Sequence, residues 1–232
     1  MIPAMLKSKI WYLQRIKLFK EMTPEEMEAL DRKVQMVSVR RKTALFFPGD
    51  PGRHVYALKE GRVKIGRISK TGRVVTLALL ESGEIFGETE LFDDTPRSNL
   101  AEALEDSKLC VIPKDYFLSI LRKKPEVFFL LTKMICSRAK QIESRVEDLA
   151  FLDVPSRLLR LLTQLSRDYG KNLPRGIRLE LKITHLELAN LIGSIRETVS
   201  ATLGEFKNQG LIDFDGRRIV LLHPDRPKQK TA

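Results

Sequence analysis

From Pro125 to Asp153 the sequence holds neither a glycine nor an internal proline, and that limits the folds open to it more than any other feature. At 1.5 Å per residue an uninterrupted helix here is roughly 40 Å long. Such a helix outgrows a small domain, so it must find cover for its apolar positions beyond one core. Ile135, Ile142, Val146 and Leu149 recur at heptad-like spacing, the pattern by which two copies of a helix cover each other. Arg138, Glu143 and Arg145 interrupt the seam, and a helix packed only on its own domain is the alternative.

The chain has 232 residues, enough for two modest bodies, and 43% of them are hydrophobic against 31% charged, a composition that folds. Its formal charge is +11, which favours polyanionic partners, nucleic acid or an acidic membrane surface. Residues 153–232 carry 14 Lys or Arg against 9 Asp or Glu, so the excess is densest in the C-terminal third. The N-terminal MIPAMLKSKI has lysines where a signal peptide needs its apolar stretch, and no apolar run has the length to span a bilayer. A soluble protein of a reducing cytoplasm, without a membrane partner, is expected.

Upstream of the long helix the period changes. Leu13, Ile16, Leu18 and Phe19 form an apolar cluster in short helices, and Thr23 caps another helix with Pro24 at its first position and Glu26 closing a capping box. Between Met36 and Ile112, β-rich runs such as HVYALKEG, RVKIGRI and VVTLALL alternate with glycine-bearing turns at FPGDPG, KTGR and ESGE. That spacing predicts an all-β sandwich or barrel-like roll. Downstream, Val154-Pro155 reads as a break, followed by a helix from Ser156 to Tyr169 and a loop rich in Gly, Pro and Asn. The final PDRPKQKTA reads as a short disordered basic tail.

Between loop and tail lies a nucleic-acid pattern. Thr184, His185, Leu186 and Glu187 spell a capping box that starts a short helix, and Gly193 permits a tight turn. From Arg196 a second helix puts Val199, Leu203 and Phe206 on one buried face and turns Arg196, Glu197, Ser200 and Ala201 outwards. This is helix-turn-helix geometry, whose second helix presents its first turn to the major groove. Arg196 can give two hydrogen bonds to guanine, and Glu197 can accept from cytosine. Thr184, Ser194 and Thr198 can donate to phosphates, and Asp215-Gly216 predicts a hairpin wing with Arg217 at its tip. Taken alone, the Arg196–Glu197 pair could equally be a solvated helix edge.

Three stretches, GEIFGETELF with Pro96-Arg97-Ser98, LAFLDVPSRLLRLL and IGSIRETVSATL, together resemble the CRP/FNR family of transcription regulators over nearly the full chain. The resemblance implies an α+β architecture. It comprises an N-terminal β-roll (jelly roll) of the cyclic nucleotide-binding type in residues 1–124, a dimerisation helix in 125–153, and a winged helix-turn-helix domain in 154–232. It implies a homodimer on palindromic double-stranded operator DNA, a small effector in the roll, and RNA polymerase as a further partner. Position by position, Arg196 and Glu197 fall on the family's base-reading residues, and Ile195 replaces its usual N-cap Ser. Ala201 stands where the cyclic AMP receptor protein has a third base-reading Arg.

For an effector such as cyclic AMP, the resemblance assigns the phosphate to the Gly87 amide, Arg97 and Ser98, and the ribose to Glu88. A short helix N-terminus and a guanidinium suit a ring phosphate. The base contacts of the family fall on Ile142, which cannot hydrogen-bond, and Glu143, which can accept. Pairing of Glu88 with Arg97, with no nucleotide bound, is the alternative. Two scattered cysteines, Cys110 and Cys136, make no iron–sulfur ligand set, and His54, the roll's one histidine, makes no pattern for haem.

A cyclic nucleotide-binding regulatory module acting on a protein partner would account for the roll, but not for the wing or the basic C-terminal third. No enzyme is expected, since neither a nucleophile–base pair nor an HExxH or GxxxxGK[ST] motif is present.

Overall fold

The computed structural model describes residues 13–14, 16–20 and 22–222. The expected basic tail and the start of the N-terminal helical region lie outside them. The chain forms two compact units, residues 1–141 and 142–232.

In the first unit a short 3-10 turn over Lys17–Phe19 precedes helix α1 (Pro24–Lys33), which has the expected capping box: Thr23 Oγ1 accepts from Glu26 N–H, and Glu26 accepts from Thr23 N–H at 2.8 Å. Eight strands follow: β1 (Gln35–Val39), β2 (Ala44–Phe46), β3 (His54–Glu60), β4 (Val63–Ile68), β5 (Val74–Leu80), β6 (Ile85–Phe86), β7 (Leu100–Ala103) and β8 (Ser107–Pro113). They build two antiparallel sheets, ordered β1-β8-β3-β6 and β2-β7-β4-β5. Helix α2 (Lys114–Lys123) follows, and then helix α3 (Pro125–Phe151), whose residues from Ile142 on belong to the second unit.

The two-residue period of β3 and β8 explains the layering. Val55, Ala57, Cys110 and Ile112 point to one face, where they meet Phe19, Met27, Leu30, Phe117, Val127 and Leu131. Leu58 and Leu109 point to the other, against Phe46, Val63, Leu80 and Phe86 of the roll interior. The central sheet is therefore covered on both sides, by helices and by the second sheet.

Helix α3 is continuous over 27 residues. Val127 and Leu131 anchor its start in the core. Phe128, Ile135, Ile142 and Leu149, at seven-residue intervals, are exposed, and Val146 is 59% exposed. The helix stops at Phe151, before the expected Asp153, because Asp153 turns extended and accepts from Ser156 N–H as the N-cap of helix α4 (Val154–Tyr169). The expected break therefore falls at Leu152-Asp153, just ahead of Pro155. Pro155 occupies the first turn of α4, where its missing N–H has no partner to lose.

In the second unit α4 buries Leu158, Leu161, Leu162 and Leu165 at helical spacing. The loop expected after Tyr169 is instead a hairpin, β9 (Gly170–Leu173) and β10 (Gly176–Leu179), turned at Pro174-Arg175. Helices α5 (His185–Ile192) and α6 (Arg196–Asn208) come next, then strands β11 (Ile212–Asp215) and β12 (Arg218–Leu221). The hairpin forms despite weak strand formers because β10 also pairs with β12, giving an antiparallel sheet ordered β11-β12-β10-β9.

Gly170 makes the close passage between α4 and this sheet possible. A Cβ there would stand 2.0 Å from Ser166 O and 2.3 Å from Ile177 Cγ2. Gly170→Ala should therefore lower stability by about 1–3 kcal/mol, as overpacking does, measured as a shifted urea midpoint with unchanged slope.

Candidate DNA-reading surface and effector pocket

Helix α5 starts on Thr184. Its hydroxyl accepts from Glu187 N–H at 3.2 Å, while Glu187 Oε2 accepts from Thr184 N–H at 2.6 Å and from the hydroxyl at 2.8 Å. The hydroxyl expected to reach a phosphate is thus engaged within its own helix start. The helix ends at Gly193, left-handed at φ 64°, which lets Ser194 N–H return to Ala189 O at 2.9 Å. Ile195 N-caps α6 without a side-chain bond.

Helix α6 buries Val199, Thr202, Leu203 and Phe206, and leaves Arg196, Glu197 and Ala201 exposed. Ser194 and Thr198 are half-buried. Ser200 is half-buried too, and its hydroxyl bonds Arg196 O at 2.9 Å and His185 Nδ1 at 2.7 Å. His185, which the sequence offered no role, therefore ties the two helices together.

Arg157 is a second residue that sequence reasoning missed. Its Nε donates to Ile192 O at 3.0 Å and its Nη1 to Leu152 O at 2.8 Å, so it satisfies the carbonyl ends of α5 and α3 at once. Arg160 bonds Asp148 of α3 at 2.5 Å, and a Cβ on Gly193 would stand 2.9 Å from Leu149 Cδ2.

The wing is the β11–β12 hairpin. Asp215 pairs with Arg218 across it, so the two-residue loop is Gly216-Arg217 rather than Asp215-Gly216, and Arg217 is exposed at the tip. Asp215 accepts from Arg178 at 2.6 Å, which holds its carboxyl below the usual range. Glu180 is likewise held low, first by Arg178 at 2.8 Å and also by Arg218. Asp213 pairs with Arg175 at 2.5 Å. Arg196 and Arg217 make no ion pair among the described residues.

In the first unit, the stretch from Gly83 to Ser98 brings Gly87, Arg97 and Ser98 together. Arg97 is buried with its main chain pinned: its N–H donates to Asp50 O and its carbonyl accepts from Gly49 N–H, both at 2.8 Å. Its Nη1 donates to Gly87 O at 2.9 Å and to Glu90 Oε2 at 2.8 Å, and its Nη2 to His54 O. The guanidinium carbon lies 4.4 Å from the centroid of Phe46, in an aromatic group with Tyr56 and Phe86 stacked 5.1 Å apart. Burial raises the Tyr56 phenol, and burial followed by the charges of Arg97 and Arg53 lowers the His54 imidazole. Gly87 has φ +77°, and a Cβ on it would come within 3.0 Å of Arg97 Nη1, so only glycine admits the guanidinium here.

Two expectations are corrected. The chain after Gly87 is a turn closed by Leu91 N–H to Glu88 O at 3.1 Å, not a short helix, because Leu91 must enter the core. Glu88 does not pair with Arg97. It accepts from Arg138 Nη1 of α3 at 2.8 Å, and Arg138 Nη2 also donates to Ile85 O at 2.6 Å and to Glu84 at 3.3 Å. Glu90 and Arg138 carried no distinguishing signal in the sequence. Ile142 and Glu143 are exposed on α3.

Among the described residues no group of His, Cys, Asp and Glu could hold a metal ion, and no helix is long and apolar enough to cross a membrane. Neither cysteine is in a disulfide; Cys110 is buried and Cys136 exposed.

Residues 36–124 match the family model of the cyclic nucleotide-binding domain, and residues 156–226 that of the Crp-like helix-turn-helix domain. The chain is similar to a global nitrogen regulator of Synechococcus elongatus, 35% identical over 82% of this chain and 87% of that protein. It is also similar to a CRP-like cAMP-activated global transcriptional regulator of Mycobacterium tuberculosis, 30% identical over 92% of this chain and 96% of that one. Among solved structures, the c-di-GMP responsive global regulator CLP of Xanthomonas campestris superposes with a TM-score of 0.76 at 26% identity, covering 86% of this chain and 99% of that one.

Thr184→Ala removes the capping box of α5 and should cost about 1 kcal/mol, read as a lower melting temperature in circular dichroism.

Proposed function

The chain belongs to the CRP/FNR family of transcription regulators, and on that premise we propose that it works as a homodimer on a palindromic operator, under the control of a small effector in its β-roll. The observation that carries the DNA-reading part is the exposed Arg196–Glu197 edge at the start of α6, inside the Crp-like helix-turn-helix match. An Arg and a Glu on that turn can take guanine and cytosine edges in the major groove. Ser194, Thr198 and Arg217 flank them and serve as phosphate contacts; Thr184 and Ser200 join them only by giving up the internal bonds described above.

The exposed stripe of Phe128, Ile135, Ile142 and Leu149 supports the dimer. A seven-residue apolar repeat on an otherwise uncovered helix is what a second copy of that helix buries. RNA polymerase is the further partner, and the cytoplasm the place of action, that this role asks for. The effector seat is proposed at Gly87, Glu88, Arg97 and Ser98. One named relative is cAMP-activated and another c-di-GMP responsive, so the effector's chemistry rests on this chain's own residues.

Arg196→Ala should cost about 1–3 kcal/mol on an operator selected from randomised duplexes and little on random DNA, measured by fluorescence anisotropy. Equal losses on both would make Arg196 a phosphate contact. The double change Ile142→Asp, Val146→Asp should convert a sedimenting dimer to a monomer. An unaltered protein that sediments as a monomer would remove the dimer reading.

A further inference from the structure

We infer that Glu90 is a resident anion in the phosphate seat of the β-roll and the residue that turns this chain away from cyclic nucleotides. The inference rests on the proposed effector seat and deepens it. Arg97 and Ser98 are the donors a ring phosphate would take, and one carboxylate already takes them. Glu90 Oε2 accepts from Arg97 Nη1 at 2.8 Å, and Oε1 accepts from Ser98 N–H at 3.3 Å and from the Ser98 hydroxyl at 3.4 Å.

This is not a loose surface pair. The side chains of Arg97 and Glu90 are 1% and 5% exposed. Glu90 also fits a space left open for it, since a Cβ on Gly52 would stand 3.0 Å from Glu90 Cβ. Its partner cannot swing away, because Arg97 is held by the carbonyls of Gly87 and His54 and packed on Phe46.

A cyclic nucleotide brings a phosphodiester monoanion. To reach Arg97 it must either share the pocket with a buried like charge or drive Glu90 out of its packed position, and both weaken binding. Glu88, the expected acceptor for ribose hydroxyls, is ion-paired with Arg138, their side chains 10% and 15% exposed. An effector of this chain therefore engages the roll without setting a phosphate on Arg97.

The test is calorimetric titration of the full-length protein with cyclic AMP, using the unaltered chain, Glu90→Gln, Glu90→Ala, and Glu90→Ala combined with Arg97→Ala. The unaltered protein should give no saturable heat up to about 1 mM, whereas Glu90→Gln and Glu90→Ala should bind at least about tenfold tighter. The Arg97 change should abolish the gain. Micromolar, Arg97-dependent binding by the unaltered protein, left unchanged by Glu90→Gln, would overturn the inference while keeping the phosphate seat. Binding by none of the proteins would overturn it and the seat together. Operator affinity of the same samples reports separately on the DNA-reading assignment. Should Glu90→Ala not fold alone, refolding in sulfate is the readout: recovery of folded protein with the anion supports the inference, and no recovery overturns it.

Discussion

Strands β3 and β8 bury both of their faces, and the arrangement of the first unit follows from that demand. Val55, Ala57, Cys110 and Ile112 serve the helical layer while Leu58 and Leu109 serve the roll interior. Water is excluded on both sides, so a polar group at the edge of this sheet needs a partner from the protein itself. The carbonyls of His54 and Gly87 find theirs in the guanidinium of Arg97. A buried guanidinium in turn needs a counter-charge, and Glu90 supplies it. The polar cluster at the heart of the roll is thus a consequence of how the sheet is covered.

The ion pairs of the two units carry different weight. Removing one partner of a buried pair such as Arg97–Glu90 strands a charge in a poorly solvated site, a loss of about 3–5 kcal/mol in typical cases. The pairs that join Arg178 and Arg218 to Glu180 and Asp215, and Arg175 to Asp213, lie on the surface of the second unit, where water and salt screen them. Their consequence is electrostatic patterning: the acids offset Arg175, Arg178 and Arg218, whereas Arg196 and Arg217 make no ion pair among the described residues.

The second unit also shows how the second helix of the helix-turn-helix is held in place. Only Ile195 precedes α6 as a cap, and it offers no side-chain bond. The hold comes from elsewhere: the buried face of α6, the His185–Ser200 bond to α5, and Arg157, which joins the end of α5 to the end of α3. With its inner face and termini held this way, the helix can leave Arg196 and Glu197 exposed without losing its position.

Local chemistry made several elements legible from the sequence alone. The capping boxes at Thr23 and Thr184, the unbroken helix through α3, the turn at Gly193, the wing hairpin and the outward Arg196–Glu197 edge all depend on residues within about a turn of each other, where spacing and propensity decide. What lay beyond reach depends on distance in the chain. Gly170 to Leu179 reads as a loop, and it becomes a hairpin only because β12, some 40 residues on, offers an edge to β10. Glu88 and Glu90 are two carboxylates of equal chemistry, two residues apart, and Arg97 and Arg138 are two equivalent cations. Sequence cannot match such a set, because any pairing satisfies the charges. Only the tertiary fold, by setting Arg97 against Gly87 and His54 and bringing Arg138 to Ile85, decided that Glu90 would fill the seat beside Arg97 and Glu88 would turn to α3.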